Sequence, residues 1–207
     1  MLSIGDDESS IRIDQYITYI LITLNVIFFF IEINGGEAFI TTWAFIPSRF
    51  IEDPLGSWVT VFTSMFMHAG WVHLGENMLY LGIFSNNMED RFQHIRFLLF
   101  YLFCGLGVMF RQLYFSLESS VPNLGASGAI AGVLGAYMLM FPGRRVNVLF
   151  SRGIFPVPAV VVIGFWFVLQ LFSGASSITS ISDTGCVAYM AHIGGFITGF
   201  ILAIIFR

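Results

Sequence analysis

The chain has 207 residues, of which 57% are hydrophobic and only 11% charged, with a net charge of −4 and a mean hydropathy of +0.82. Soluble domains carry roughly 25% charged residues, so the composition excludes an ordinary water-soluble domain and points to a membrane protein. All nine basic residues are arginines, and they are scattered. No basic patch of the kind that nucleic acid requires occurs, so nucleic acid is not an expected partner.

In chain order, the start "MLSIGDDESSIRID" is acidic and lacks the basic opening of a secretory signal. The first apolar run, 16–33, is therefore expected to remain as a spanning helix. Spans need about 20 mostly apolar residues, and five further segments come near this: 72–88, 95–115, 124–141, 154–173 and 188–206. The expected fold is an all-α polytopic membrane protein, a six-helix bundle forming a single membrane domain over 1–207. The second and fourth spans are short or studded with polar residues, as helices shielded by protein rather than lipid would be. The connection after the first span, with Trp43, Pro47, Pro54 and Trp58, is too long for a plain turn. It is expected to hold an amphipathic piece at the interface. The polar connection from Gly174 to Gly185 reads as a mobile loop. Cys104 and Cys186 form no C-x-x-C pair and read as small buried thiols.

Arginine placement sets an orientation. With the N-terminus cytoplasmic, Arg12, Arg91, Arg96, Arg144, Arg145, Arg152 and Arg207 fall inside, and only Arg49 and Arg111 fall outside. Both termini are thus expected in the cytoplasm, with the cell membrane as the expected location.

Polar groups at membrane depth are expensive and mark functional sites by default. Four stand out: His73, Asn77, Ser127 and His192. His73 and Asn77 are four apart and share a helix face. In the derived orientation all four lie early in spans that begin outside, at one depth near the outer leaflet. Gly125, Gly128, Gly132 and Gly135 read as a stripe along the fourth span, which marks it as the central helix. His192, Gly195 and Gly199 share one face of the sixth span, so packing it on the fourth would bring His192 towards Ser127. A serine beside a histidine is a nucleophile with its base. A lone serine in a membrane helix is usually a packing or back-bonding residue; the conjunction of four polar residues at matched depth carries the functional reading.

These residues resemble the rhomboid family of intramembrane serine proteases, over about 57–200. The matching motifs are "HAGWVHLGEN" with His68, His73 and Asn77, "GASG" from Gly125 to Gly128, and "AHIGGFITG" with His192, Gly195 and Gly199. "NMEDRF" followed by "RFLLFYLFCGLG" is similar to the family's second loop and third helix. The resemblance implies a Ser127 nucleophile and a His192 base with no acid. It also implies an oxyanion site of His73, Asn77 and the Ser127 backbone N–H, and a movable cap over residues 174–185. The implied activity is cleavage of membrane-spanning protein substrates near the outer face of the bilayer, with no cofactor or metal. Oligomeric state is left open. Departures from the pattern are Ala131, where many relatives carry an aromatic; Ser85 for a glycine; Glu76 beside Asn77; and the separation of Trp43 from Arg49.

Rival readings fare worse. "HLGEN" ends in asparagine where a zinc-protease motif needs histidine. A hydrolase elbow would need glycine at Ala129 and a strand before it. The spans hold no paired aspartates. A channel or transporter would need a pore ring or discontinuous helices. A non-catalytic relative that binds client transmembrane helices is the main alternative, but such proteins usually lack the serine or the histidine.

Overall fold

The computed structural model describes residues 2–7, 11–115, 117–151, 153–178 and 183–206. Arg152 and Arg207, counted above in the orientation, lie outside them, as does the side chain of Cys186.

Helix α1, Tyr16–Trp43, outruns its expected end by ten residues. It breaks at Gly36, whose φ of 59° and ψ of −149° suit glycine and few other residues. The apolar run is therefore one helix, followed past the kink by a short helical extension. The buried Glu89 carboxylate supplies the start of α1: it accepts from the N–H groups of Ile17 and Thr18 at 2.8 Å each and from Thr18 Oγ1 at 2.7 Å. A carboxylate there satisfies orphan donors and complements the helix dipole. At the other end the Arg49 guanidinium donates to the carbonyls of Thr41 and Ala44, on either side of Trp43. Trp43 and Arg49, separated in sequence, thus belong to one capped helix end.

Three short helices follow: α2 (Pro47–Glu52), α3 (Pro54–Ser57) and α4 (Thr60–Thr63). Proline opens α2 and α3, where its missing N–H costs nothing. A 3-10 turn, Ser64–Phe66, leads to α5 (Trp71–Phe92). Gln93, at a positive φ of 69°, turns the chain into α6 (His94–Phe115). Then come α7 (Ser127–Met140), α8 (Ala159–Ile178) and α9 (Asp183–Phe206).

Residues Gly128 to Tyr137 of α7 are all buried. The helix packs against α9 most extensively and also against α5, α6 and α8. Glycines make the α7–α9 contact: a Cβ on Gly195 would strike the Gly128 carbonyl, and one on Gly199 would strike the Gly132 backbone. Small residues of this kind let helix backbones touch. Gly125 departs from the expected stripe. It precedes α7, at a φ of 129°, so it shapes the turn into the helix rather than its packing face.

The protein is mostly helical, but all-α needs correction. Strands β1 (Leu2–Asp6), β2 (Arg145–Phe150) and β3 (Gly153–Pro158) form an antiparallel sheet in the order β1-β2-β3. β2 alternates as strands do, burying Val146 and Val148. Pro156 and Pro158 lie on the edge strand β3, where proline is tolerated. Residues 154–158 therefore belong to a strand, and the fifth apolar helix starts at Ala159. The expected loop over 174–185 is likewise shortened: 174–178 continue α8 and 183–185 open α9, while 179–182 lie outside the described residues.

Three helices among the described residues are long and apolar enough to cross a membrane: Tyr16–Trp43, His94–Tyr114 and Tyr189–Phe206. Ser127–Met140 and Ala159–Phe172 are apolar but shorter.

Candidate active site

Two ends of the molecule differ in chemistry. At the sheet end, Asp6 accepts from Tyr137 Oη at 2.7 Å and from Asn87 Nδ2, and Arg144 donates to Asn87 Oδ1. At the opposite end of α5 lies a cavity of about 290 Å³. Ser127, His73 and His192 line it, with Gly125, Gly128 and Gln112.

Ser127 is the first residue of α7. The first bond of that helix runs from Ile130 N–H to the Ala126 carbonyl. The N–H groups of Ser127, Gly128 and Ala129 therefore precede the ladder, where a helix presents donors and partial positive charge. Gly125 is held just ahead by its N–H, which donates to the Ser64 carbonyl at 2.8 Å. A Cβ at Gly125 would lie 3.2 Å from His73 Nε2 and 3.4 Å from Ser127 Oγ, so the imidazole and the hydroxyl converge on a space that only glycine leaves open.

His73 has a defined tautomer. The Ala69 N–H donates to its Nδ1 at 3.3 Å, so the ring hydrogen sits on Nε2, towards Gly125 and Ser127. His68 packs edge-on against His73, with ring centroids 5.1 Å apart. It is 1% exposed, and its N–H donates to Glu32 Oε2 at 2.9 Å. Burial first, and then the neighbouring His73, push its pKa down to about 4, so it stays neutral.

Asn77 lies one turn along α5 from His73 and is buried, and its Nδ2 has no hydrogen-bond partner. It does not line the cavity as His73 does. Of the four singled-out residues, the fold thus brings Ser127, His73 and His192 around one hollow and leaves Asn77 out of its lining. Gly195 and Gly199 sit on the α7-facing side of α9, the helix that carries His192.

Sequence reasoning missed two glutamines. Gln112 on α6 lines the cavity and is buried, with its Nε2 unpaired. Gln170 on α8 places Oε1 2.9 Å from His192 Nδ1. The signal was present, since Gln170 is the one amide in the apolar run 159–172 and such a group needs a partner. Among the described residues no group of three or more His, Cys, Asp or Glu side chains is placed to hold a metal ion. Cys104 is buried and unbridged, against Gly132.

Long apolar helices around a partly open cavity lined by a serine and two histidines define a helical membrane protein with a polar site at one end of the bundle. The Rhomboid domain family model matches residues 55–207, and the chain belongs to that family. It is 32% identical over 191 residues to Rhomboid protease GluP of Bacillus subtilis, covering 90% of this chain and 34% of that protein. It is 32% identical over 143 residues to RHOMBOID-like protein 6, mitochondrial, of Arabidopsis thaliana, covering 69% and 42%. It is 26% identical over 200 residues to Putative rhomboid protease YdcA of Bacillus subtilis, covering 95% and 90%. The chain thus spans about a third of the first relative's length and about two fifths of the second's.

Proposed function

We propose that the protein is an intramembrane serine endopeptidase that cleaves membrane-spanning protein substrates with a Ser127–His192 dyad. The observation that carries the reading is the cavity that gathers Ser127, at a helix start, with His73 and His192. In the proposed mechanism, Ser127 Oγ attacks the scissile carbonyl while His192 Nε2 takes its proton. The oxyanion is met by the Nε2–H of His73, the Ser127 N–H and, on small adjustment, the unpaired amide of Asn77. The carbon–nitrogen bond then breaks, with His192 returning the proton to the leaving amine. Water, activated by the same imidazole, hydrolyses the acyl ester. The glycine motif of Gly125, Gly128, Gly195 and Gly199 supports these groups by allowing close approach.

In this reading α1 and α5 to α9 are the six spans of a single membrane domain, with α7 central. α7 has 14 residues and is about 21 Å long, against a hydrocarbon core of about 30 Å. A helix that short, with one end near a bilayer surface, leaves the other recessed, which sets Ser127 below the outer face. The topology follows the arginines: Arg12, Arg91, Arg144 and Arg145 gather at the sheet end, and Arg49 and Arg111 at the cavity end. The sheet end is then cytoplasmic.

The test is cleavage of a single-span test substrate in micelles, with fluorophosphonate labelling. Wild-type protein should cut the substrate and be labelled at Ser127. Ser127→Ala should do neither, and chelators should change nothing. Binding of the substrate helix by wild-type protein without any cleavage would replace the protease reading with that of a client-binding protein.

A further inference from the structure

We propose that Gln170 is a positioning residue for His192: its Oε1, on α8, holds the imidazole with Nδ1 protonated and Nε2 free to face Ser127. The inference rests on the dyad reading and deepens it.

Oε1 carries no hydrogen, so with that oxygen 2.9 Å from the ring, as assigned, the ring nitrogen facing it is the donor. A neutral imidazole has one N–H, so a proton on Nδ1 leaves Nε2 with a lone pair. That is the tautomer a general base needs. The bond also survives proton transfer, since Nδ1–H still donates in the imidazolium. Gln170 therefore holds the ring through both halves of the reaction.

Register makes the contact a built one. Phe167 and Phe196 stack with centroids 4.3 Å apart and clasp α8 to α9. Gln170 is three residues beyond Phe167, and His192 four residues before Phe196. In an antiparallel pair these steps lead in the same direction, about one turn along the interface. The Trp166 ring lies 6.0 Å from the His192 ring at 40°, covering it on the α8 side. After Ser127, the α7 residues lining the cavity are Gly128 and Ala129, and α9 flanks His192 with Ala191 and Ile193. Apart from the Ser127 hydroxyl and His192 itself, no side-chain acceptor of α7 or α9 lines the cavity among the described residues. Conversely, a glutamine carbonyl among Val, Phe and Leu side chains would be costly without this partner.

The experiment measures kcat and KM in micelles with a single-span test substrate, and the rate at which a fluorophosphonate labels Ser127. Gln170→Met keeps length and helix propensity but removes the acceptor. It should lower kcat and the labelling rate about tenfold or more, with KM little changed. Gln170→Glu, whose carboxylate only accepts, should restore most of that loss. Gln170→Leu provides a second acceptor-free variant should Gln170→Met not fold, as judged by its unfolding transition. The inference is overturned by a wild-type kcat in the acceptor-free variants. It is equally overturned by a Gln170→Glu protein as slow as Gln170→Met, or by a loss confined to KM. Ser127→Ala and His192→Ala, run alongside, separate the two claims. Activity in either defeats the dyad itself, whereas inactivity in both with a fast Gln170→Met defeats the positioning role alone.

Discussion

His73 and Asn77 share one face of α5, yet they stand differently towards the cavity. His73 has its Nδ1 occupied by a backbone donor and its Nε2–H directed at the space beside Ser127. Asn77 is buried with a spare amide hydrogen donor. Each should act on the transition state more than on bound substrate. His73→Ala is expected to lower kcat on the order of 10²–10³-fold, and Asn77→Ala to lower kcat more than it raises KM. Steady-state kinetics on a single-span substrate read both, and an unchanged kcat in Asn77→Ala would remove it from the oxyanion site. His68 makes a different prediction. Its folded pKa of about 4 lies below the ordinary 6.5, so the folded state binds fewer protons than the unfolded state between those values. Stability should therefore fall as pH drops from about 6.5 towards 4. A His68→Phe protein should lose less of its melting temperature over that window than wild type does. At this scale the sequence made four residues visible because polar groups in a greasy chain are few and costly. Gln170 and Gln112 escaped because their meaning depends on which neighbouring helix they face, and one-dimensional spacing does not carry that.

Helices α7 and α9 meet backbone to backbone, and this fixes what their glycines tolerate. A valine at Gly199 would drive carbon into the Gly132 backbone. Gly199→Val should cost about 3 kcal/mol or prevent folding, measured as the unfolding transition in detergent. Gly164 on α8 faces open space, and a Cβ added there would meet nothing within 4 Å. Gly164→Ala should be neutral or slightly stabilising, since alanine loses less entropy in a helix. Equal effects from both would show that the glycine contacts do not hold the pair. The six long helices could be read from the chain, because long apolar runs have few other uses, whereas the three strands and the short helices α2 to α4 could not. The ends of the long helices were less legible. The α1 helix ran on to a glycine kink and an arginine cap formed by residues several positions away. The start of α7 lay at Ser127, three residues later than hydrophobicity indicated, and that moved Gly125 from a packing stripe to a turn. "IFPVP" is as apolar as a span, and only its pairing with "RVNVLF" reveals it as a strand.

Across the whole molecule, the two ends of the bundle are tied by different means. Glycine contacts and the α8–α9 aromatic clasp lie towards the cavity, and hydrogen bonds among Asp6, Asn87, Tyr137 and Arg144 lie at the sheet. Asp6→Ala would leave the buried part of this network short of an acceptor and should cost about 1–3 kcal/mol. The loss would appear as a lower melting temperature with kcat at 25 °C largely kept, since the cavity lies at the far end of α5. None of this network was legible beforehand, because its members are 131 residues apart in the case of Asp6 and Tyr137. The sheet itself has a further consequence. β1 covers one side of β2 along Val146 to Leu149, and it is joined to α1 by residues 7–15. A protein trimmed to begin beyond Asp7 would bare that side of β2, a row of vacant amides and carbonyls beside two valines. Two such trimmed copies could zip these borders together, and a mixture with intact protein could trade strands. Light scattering should then report a heavier particle than the untrimmed chain forms.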